Sequence, residues 1–130
     1  MESEIICLDS SVLIEYYRKK NKSNSFFYSL TEKYNRFAIS VITEFEVYSG
    51  SNETQDKFWN DLFEKITVLD FTSDINKKAI AISRKLRKQN KQIAIPDLLI
   101  GATSLSSEIK LATLNKKDFS KIDGLELITP

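Results

Sequence analysis

The chain has 130 residues, 42% hydrophobic and 28% charged, and its 19 Lys and Arg against 18 Asp and Glu leave a net charge of +1. That length predicts one domain, 1–130, with chain enough to bury a core without staples, and the charge balance means that any affinity for nucleic acid must come from local segregation. With no His and a single Cys, zinc sites of the Cys and His type, triads with a His base and paired-His ribonuclease chemistry are excluded, which leaves carboxylates and oxygen-bound metal ions as catalytic tools.

The chain starts MESEIICLD, with no basic leader, and no apolar run approaches the ~20 residues of a membrane span, so a cytoplasmic protein without membrane contact is expected. Ile5 to Leu8 form a short apolar run, a predicted buried strand, with Cys7 as a small buried hydrophobe. The run ends at Asp9, and a helix is predicted from about Ser11 to Lys19, stopping in the basic turn KKNKSN. Residues 25–34, SFFYSLTEKY, read as a short helix or hairpin arm dense in aromatics. RFAIS, 36–40, reads as a second strand, and Ser40 caps a helix VITEFEVYSG that Gly50 can end.

From Glu53 to Lys65, Phe58 with Leu62 and Trp59 with Phe63 have the spacing of neighbours on one helix face. TVLDF supplies a third strand. Residues 72–90 place Ile75, Ala79, Ile82 and Leu86 in one stripe and Lys77, Lys78, Arg84, Lys85, Arg87 and Lys88 elsewhere, an amphipathic helix with a basic exterior. In IAIPDLLIGATSL, Pro96 fits the first helical position and Asp97 the first turn. A strand KLATLN, a basic turn KKDF and a last strand LELIT complete the chain. Strands separated by helices, without a hairpin signal, predict an α/β fold, a three-layer α/β/α sandwich around a mostly parallel sheet of about five strands.

Four acids stand apart from the solvated ones. Asp9 ends a strand, Glu46 lies early in a helix after a strand, Asp97 opens a helix, and Asp118 follows the strand KLATL after a short turn. In an open parallel sheet those positions share one edge, where ligand sites form. At an effective dielectric of about 20, two carboxylates roughly 5 Å apart repel by about 3 kcal/mol, so a cluster of four calls for hard divalent ions, Mg²⁺ or Mn²⁺. Each acid has a structural alternative: Asp9 and Asp97 as helix-start residues, Asp118 as a turn cap, and Glu44 as a rival to Glu46, since residues two apart on a helix point to nearly opposite sides.

ICLDSSVLIEYY, ISVITEFEVYSG, IAIPDLLIGATSL and LATLNKKDF, in that order, resemble the four acidic motifs of PIN-domain ribonucleases, in particular the VapC toxins of toxin–antitoxin pairs. The resemblance covers nearly the whole chain and implies metal-dependent endoribonuclease activity. It places the catalytic and metal-binding acids at Asp9, Glu46, Asp97 and Asp118, with Gly50 selecting Glu46 over Glu44, and supporting polar groups at Ser11 and Asn115. Ser11 departs from the Asn often found in the family.

The chemistry expected is in-line attack of a metal-activated water on an RNA phosphodiester. Lys116, Lys117 and Lys121, beside the site, are expected to track the RNA backbone, with Arg18, Lys19, Lys20 and Lys22 as a second, more distant group. A phosphorelay receiver would need further acids on the first loop, and an Asp-nucleophile phosphohydrolase a second Asp where Ser11 stands. A housekeeping PIN nuclease and an inactive PIN-like binding module remain alternatives.

The resemblance also implies a cognate antitoxin and a toxin homodimer. Nine aromatic residues lie between Tyr16 and Tyr48, more than the inner faces of those short elements need. Phe37 and Phe45 are expected to pack internally, whereas some of Tyr16, Tyr17, Phe26, Phe27, Tyr28 and Tyr48 are expected to line an exposed antitoxin groove.

Overall fold

The computed structural model describes residues 2–130, with side chains from residue 4 onward. In chain order the elements are β1 (Glu2–Leu8), α1 (Ser10–Arg18), a 3₁₀ turn (Lys22–Asn24), α2 (Phe26–Thr31), β2 (Tyr34–Ser40), α3 (Val41–Ser49), α4 (Glu53–Phe63), β3 (Thr67–Leu69), α5 (Ser73–Lys88), α6 (Ile95–Ser106), β4 (Lys110–Ala112), α7 (Lys116–Phe119) and β5 (Leu127–Ile128). All strand pairs are parallel, in the order β3-β2-β1-β4-β5. The expected α/β sandwich is therefore present. Its sheet departs in opposite directions on the two sides of β1, and the carboxyl end of that strand is a topological switch point where such folds bind ligands.

Alternation along β1 divides the core into the two layers. Ile6 and Leu8 belong to a cluster with Val12, Leu13, Phe27, Phe37 and Trp59, while Cys7 belongs to another with Ile100, Leu111, Phe119 and Ile122. All three β1 residues are fully buried, as a central strand covered on both faces requires. Burial pushes the Cys7 thiol up to about 12, so it stays a neutral packing group. Among the described residues no helix is long and apolar enough to cross a membrane.

Most helix starts follow the sequence. Ser40 accepts from Ile42 N at 3.0 Å, Asn52 and Gln55 form a reciprocal capping box, and Thr72 accepts from Ile75 N. Among the boundaries that differ, three bear on the acids. Helix α1 begins at Ser10 because the Asp9 side chain takes the cap, α6 begins at Ile95 so that Pro96 is its second residue, and KKDF is a helical turn, α7.

The aromatic-rich segment differs more. Phe26 and Phe27 are buried rather than exposed in a groove. Helix α4 supplies the reason: its Phe58 and Trp59 pack on Tyr17 at centroid distances of 5.0 and 5.3 Å, while Tyr16 meets Phe27 edge-on at 5.0 Å. Tyr48 pairs with Phe63, and of the six groove candidates Tyr28 remains exposed, at 44%. Lys22 ties this layer together, its ammonium donating to the carbonyls of Tyr16, Tyr17 and Lys19 over the rings of Tyr16, Tyr17 and Phe58. Phe37 is buried as expected, but Phe45 is 71% exposed. The buried face of α3 is taken by Thr43 and Val47, and Phe45, two residues from each, points away from it.

Candidate active site

Asp9 follows the last residue of β1, and its backbone N–H donates to the Ala112 carbonyl of β4 at 3.2 Å. That bond seats the carboxylate between two strand ends. One oxygen, Oδ1, accepts from the Ser11 hydroxyl at 2.6 Å and from Val12 N at 3.3 Å, and Oδ2 accepts from the Thr113 hydroxyl at 2.6 Å. The residue is 3% exposed. Burial raises its carboxyl above the usual range against the lowering effect of these donors, so the ionised form sits in a place that disfavours it. Asp9 is thus a helix cap and a buried carboxylate at once, so the capping role does not exclude the other.

Glu46 comes from α3, where its Oε1 accepts from the Ser10 hydroxyl at 2.6 Å. Glu44 faces elsewhere. After burial, its charge and that of Asp56 are what raise the Tyr48 phenol, which places Glu44 on the α4 side of the helix.

Asp97 opens α6 and Asp118 lies in α7, and the Asn115 amide links them, donating to Asp97 Oδ2 at 3.3 Å and to Asp118 Oδ2 at 3.1 Å. Asp118 Oδ1 accepts from Lys121 at 3.0 Å. Burial, followed by the charges of Asp9, Glu46 and Asp118, pushes the Asp97 carboxyl up to about 6. Hydrogen bonds from Lys121 and then Asn115 hold Asp118 below the usual range. Two acids whose environments drive them apart, within one group of four, are what a reactive site looks like electrostatically.

All four acids therefore share one edge, and Asp97 senses the charges of the other three. They are not drawn into a tight cage: among the described residues no three acidic side chains converge closely enough to grip a metal ion. The two observations are compatible, because like charges separate when each has its own donor, and here Ser11 and Thr113, Ser10, Asn115 and Lys121 provide those donors. A depression of about 500 Å³ adjoins the site, lined by Ser11, Ile14, Glu15, Arg18, Lys19 and Leu114. Another, of about 490 Å³ and including Glu4, Lys110 and Glu126, opens at the opposite ends of the strands, away from the four acids.

The sequence profile of the PIN domain matches residues 6–125. The chain belongs to the PIN domain family. This PIN domain is 30% identical over 122 residues to Ribonuclease VapC1 of Methanocaldococcus jannaschii, covering 93% of this chain and 83% of that protein. Among solved structures it is similar to VapBC-1 from nontypeable Haemophilus influenzae, with a TM-score of 0.83 at 26% identity over 96% of this chain and 97% of that one. It is also similar to a toxin-antitoxin complex from Klebsiella pneumoniae, with a TM-score of 0.77 at 25% identity over 96% and 97% of the two chains.

The acids, Ser11 and Asn115 singled out in the sequence of this PIN domain come together at this edge, joined by Ser10 and Thr113, which the sequence did not single out. Thr113 follows directly on β4, and its role depends on β4 pairing with β1, which puts Ala112 beside Leu8. No local pattern announces that pairing. Lys121, expected on RNA phosphates, is bonded to Asp118 and at 2.6 Å to the Gln92 carbonyl.

Proposed function

We propose that this PIN domain is a metal-dependent endoribonuclease and the toxin of a VapBC-type pair. The observation that carries the reading is the gathering of Asp9, Glu46, Asp97 and Asp118 at one sheet edge, where burial, and then the charges of the other three, raise the Asp97 carboxyl to about 6. An all-oxygen donor set at a strand-end edge, with excess negative charge and no His in the chain, fits a hard divalent cation such as Mg²⁺ or Mn²⁺. Asp9, Asp97 and Asp118 would hold it, with Glu46 completing the set. When bound, the ion lowers the pKa of a water and neutralises charge on the phosphoryl oxygens.

The chain's own residues prepare that chemistry. Ser11 and Thr113 fix both oxygens of Asp9, Ser10 fixes Glu46, and Asn115 holds Asp97 and Asp118 in register. The exposed Lys116 and Lys117 on α7 would take RNA phosphates beside the acids, a role their exposure supports. Arg18 and Lys19, in the depression next to Ser11, extend that track. Similarity to Ribonuclease VapC1 and to a toxin-antitoxin complex supports RNA as substrate and an antitoxin as partner. A homodimer belongs to the same reading. For the antitoxin contact, the exposed Tyr28 and the partly exposed Tyr16, Tyr17 and Tyr48 are the groove candidates left on the surface.

The test is digestion of total RNA by the wild type and by Asp97→Asn, with Mg²⁺ or with EDTA, followed by mapping of the cleaved ends. Discrete ends that require both the metal and Asp97 are expected. Identical digestion by wild type and variant would remove the reading. Expression alone and beside the product of the adjacent small reading frame tests the toxin role: growth arrest relieved by a co-purifying neighbour is expected, and unaffected growth would favour an RNA-processing PIN nuclease.

A further inference from the structure

Lys121 is the cation turned into the carboxylate edge. It lies just past α7, and its ammonium reaches Asp118 Oδ1 at 3.0 Å and the Gln92 carbonyl at 2.6 Å. The two side chains are 25% and 33% exposed, so the pair is neither a surface ion pair nor a buried one. Gln92 lies in the connection from α5 to α6, so one ammonium joins the segment leading into Asp97 with the helix carrying Asp118. The other Asp118 oxygen is taken by Asn115. Both oxygens of this acid are therefore engaged, one of them by a full positive charge.

We propose that Lys121 is a resident cation of the site: in the metal-free protein it holds the Asp118 carboxylate where a divalent ion would supply the charge, and it sets the affinity for that ion because Asp118 must be released to bind it. The proposal rests on the metal-dependent reading above. Its electrostatics have a definite sign. Four coupled carboxylates repel one another, and a nearby ammonium relieves part of that repulsion while the ion is absent. Once the ion is present, the same ammonium is a like charge beside it. Lys121 is thus a positioning residue with opposite effects in the two states. A plain structural tether would have the same effect in both.

Replacing Lys121 by Gln, which keeps a donor but removes the charge, should therefore lower the melting temperature in EDTA yet tighten Mn²⁺ binding on the order of tenfold by calorimetry. The metal-induced rise in melting temperature should then exceed the wild-type rise by about 3 to 5 °C at the same metal concentration. Lys121→Arg should restore wild-type behaviour in both measurements. In the wild type, the ¹⁵Nζ signal of Lys121, protected by its ion pair in EDTA, should broaden or shift as diamagnetic Mg²⁺ is added, a readout that does not depend on any variant folding. A Lys121→Gln variant with an equal or weaker metal response, or a Lys121 signal indifferent to Mg²⁺, overturns the proposal while the wild-type metal response leaves the nuclease reading intact. No metal response in the wild type overturns both.

Discussion

Replacing Asp9 by Asn separates its two roles. The substitution is isosteric, so Oδ1 can go on accepting from Ser11 and from Val12 N, and α1 keeps its cap. What changes is the side toward Thr113. The hydroxyl that donates to Oδ2 at 2.6 Å would face an amide NH₂, and losing that charge-assisted bond costs about 1 to 3 kcal/mol. Against this stands the relief of a carboxylate that is 3% exposed and raised by burial. At an effective dielectric of about 20 and roughly 6 Å, each like-charge pair repels by about 3 kcal/mol, and solvent at the partly exposed Asp97 and Glu46 trims the total relief to ~1 to 2 kcal/mol. The two effects nearly cancel. A domain of this size shifts by about 3 to 5 °C per kcal/mol, so Asp9→Asn should melt in EDTA within ~5 °C of the wild type. Its RNA cleavage and its metal-induced stabilisation should be lost. Asp9→Ala removes the cap and both hydroxyl partners and should melt about 10 °C lower. An Asn variant that melts as low as the Ala variant, or that keeps the wild-type metal response, would refute the assignment of Asp9 to the charge cluster.

Mg²⁺ or Mn²⁺ should raise the wild-type melting temperature, and the rise should shrink in Asp97→Asn and Asp118→Asn but not in Glu44→Gln, whose carboxylate acts on Tyr48 instead; thermal melts at matched metal concentration check this. The Asp97 carboxyl goes from the usual 3.8 to about 6 on folding, so the folded chain holds that proton more tightly than the unfolded one. Its contribution is present in full below pH ~3.8 and is lost as the pH rises through about 6. Discounted for partial exposure, metal-free wild type should lose about 1 to 2 kcal/mol relative to Asp97→Asn between pH 4 and 6.5, measured by urea melts across that range, and saturating Mg²⁺ should shrink the difference. A Cβ at Gly101 would meet Ile122 Cδ1 at 2.5 Å, so Gly101→Ala should destabilise by about 1 to 3 kcal/mol and, by pushing on the segment after α7, reduce RNA cleavage more than a destabilised core variant far from the acids such as Ala79→Gly.

Local chemistry alone was enough to read much of this chain. Apolar runs closed by Asp9 and Ser40, the stripe of α5, and the Pro96-Asp97 start of α6 each depend on a few neighbouring residues, and periodicity and capping report such short-range facts directly. Asp9, Asp97 and Asp118 stood out for the same reason, since each sits at a strand end or a helix start that its own segment defines, whereas Glu46, in the middle of α3, was set apart from Glu44 by the resemblance. The structure decided what depends on residues far apart in sequence. Glu46 is tied to the edge by a bond to Ser10, 36 residues away, and the Thr113 hydroxyl reaches Asp9 across 104. Phe26 and Phe27 looked like surface aromatics until α4 laid Phe58 and Trp59 over their layer, and Phe45 looked internal until the burial of Thr43 and Val47 fixed the roll of α3. Lys121 was expected to track the RNA backbone, and only the fold brings the Gln92 carbonyl and Asp118 together within reach of its ammonium. Periodicity tells which residues share a face of an element, but the neighbour that covers that face is set by strand order, which long-range packing alone selects.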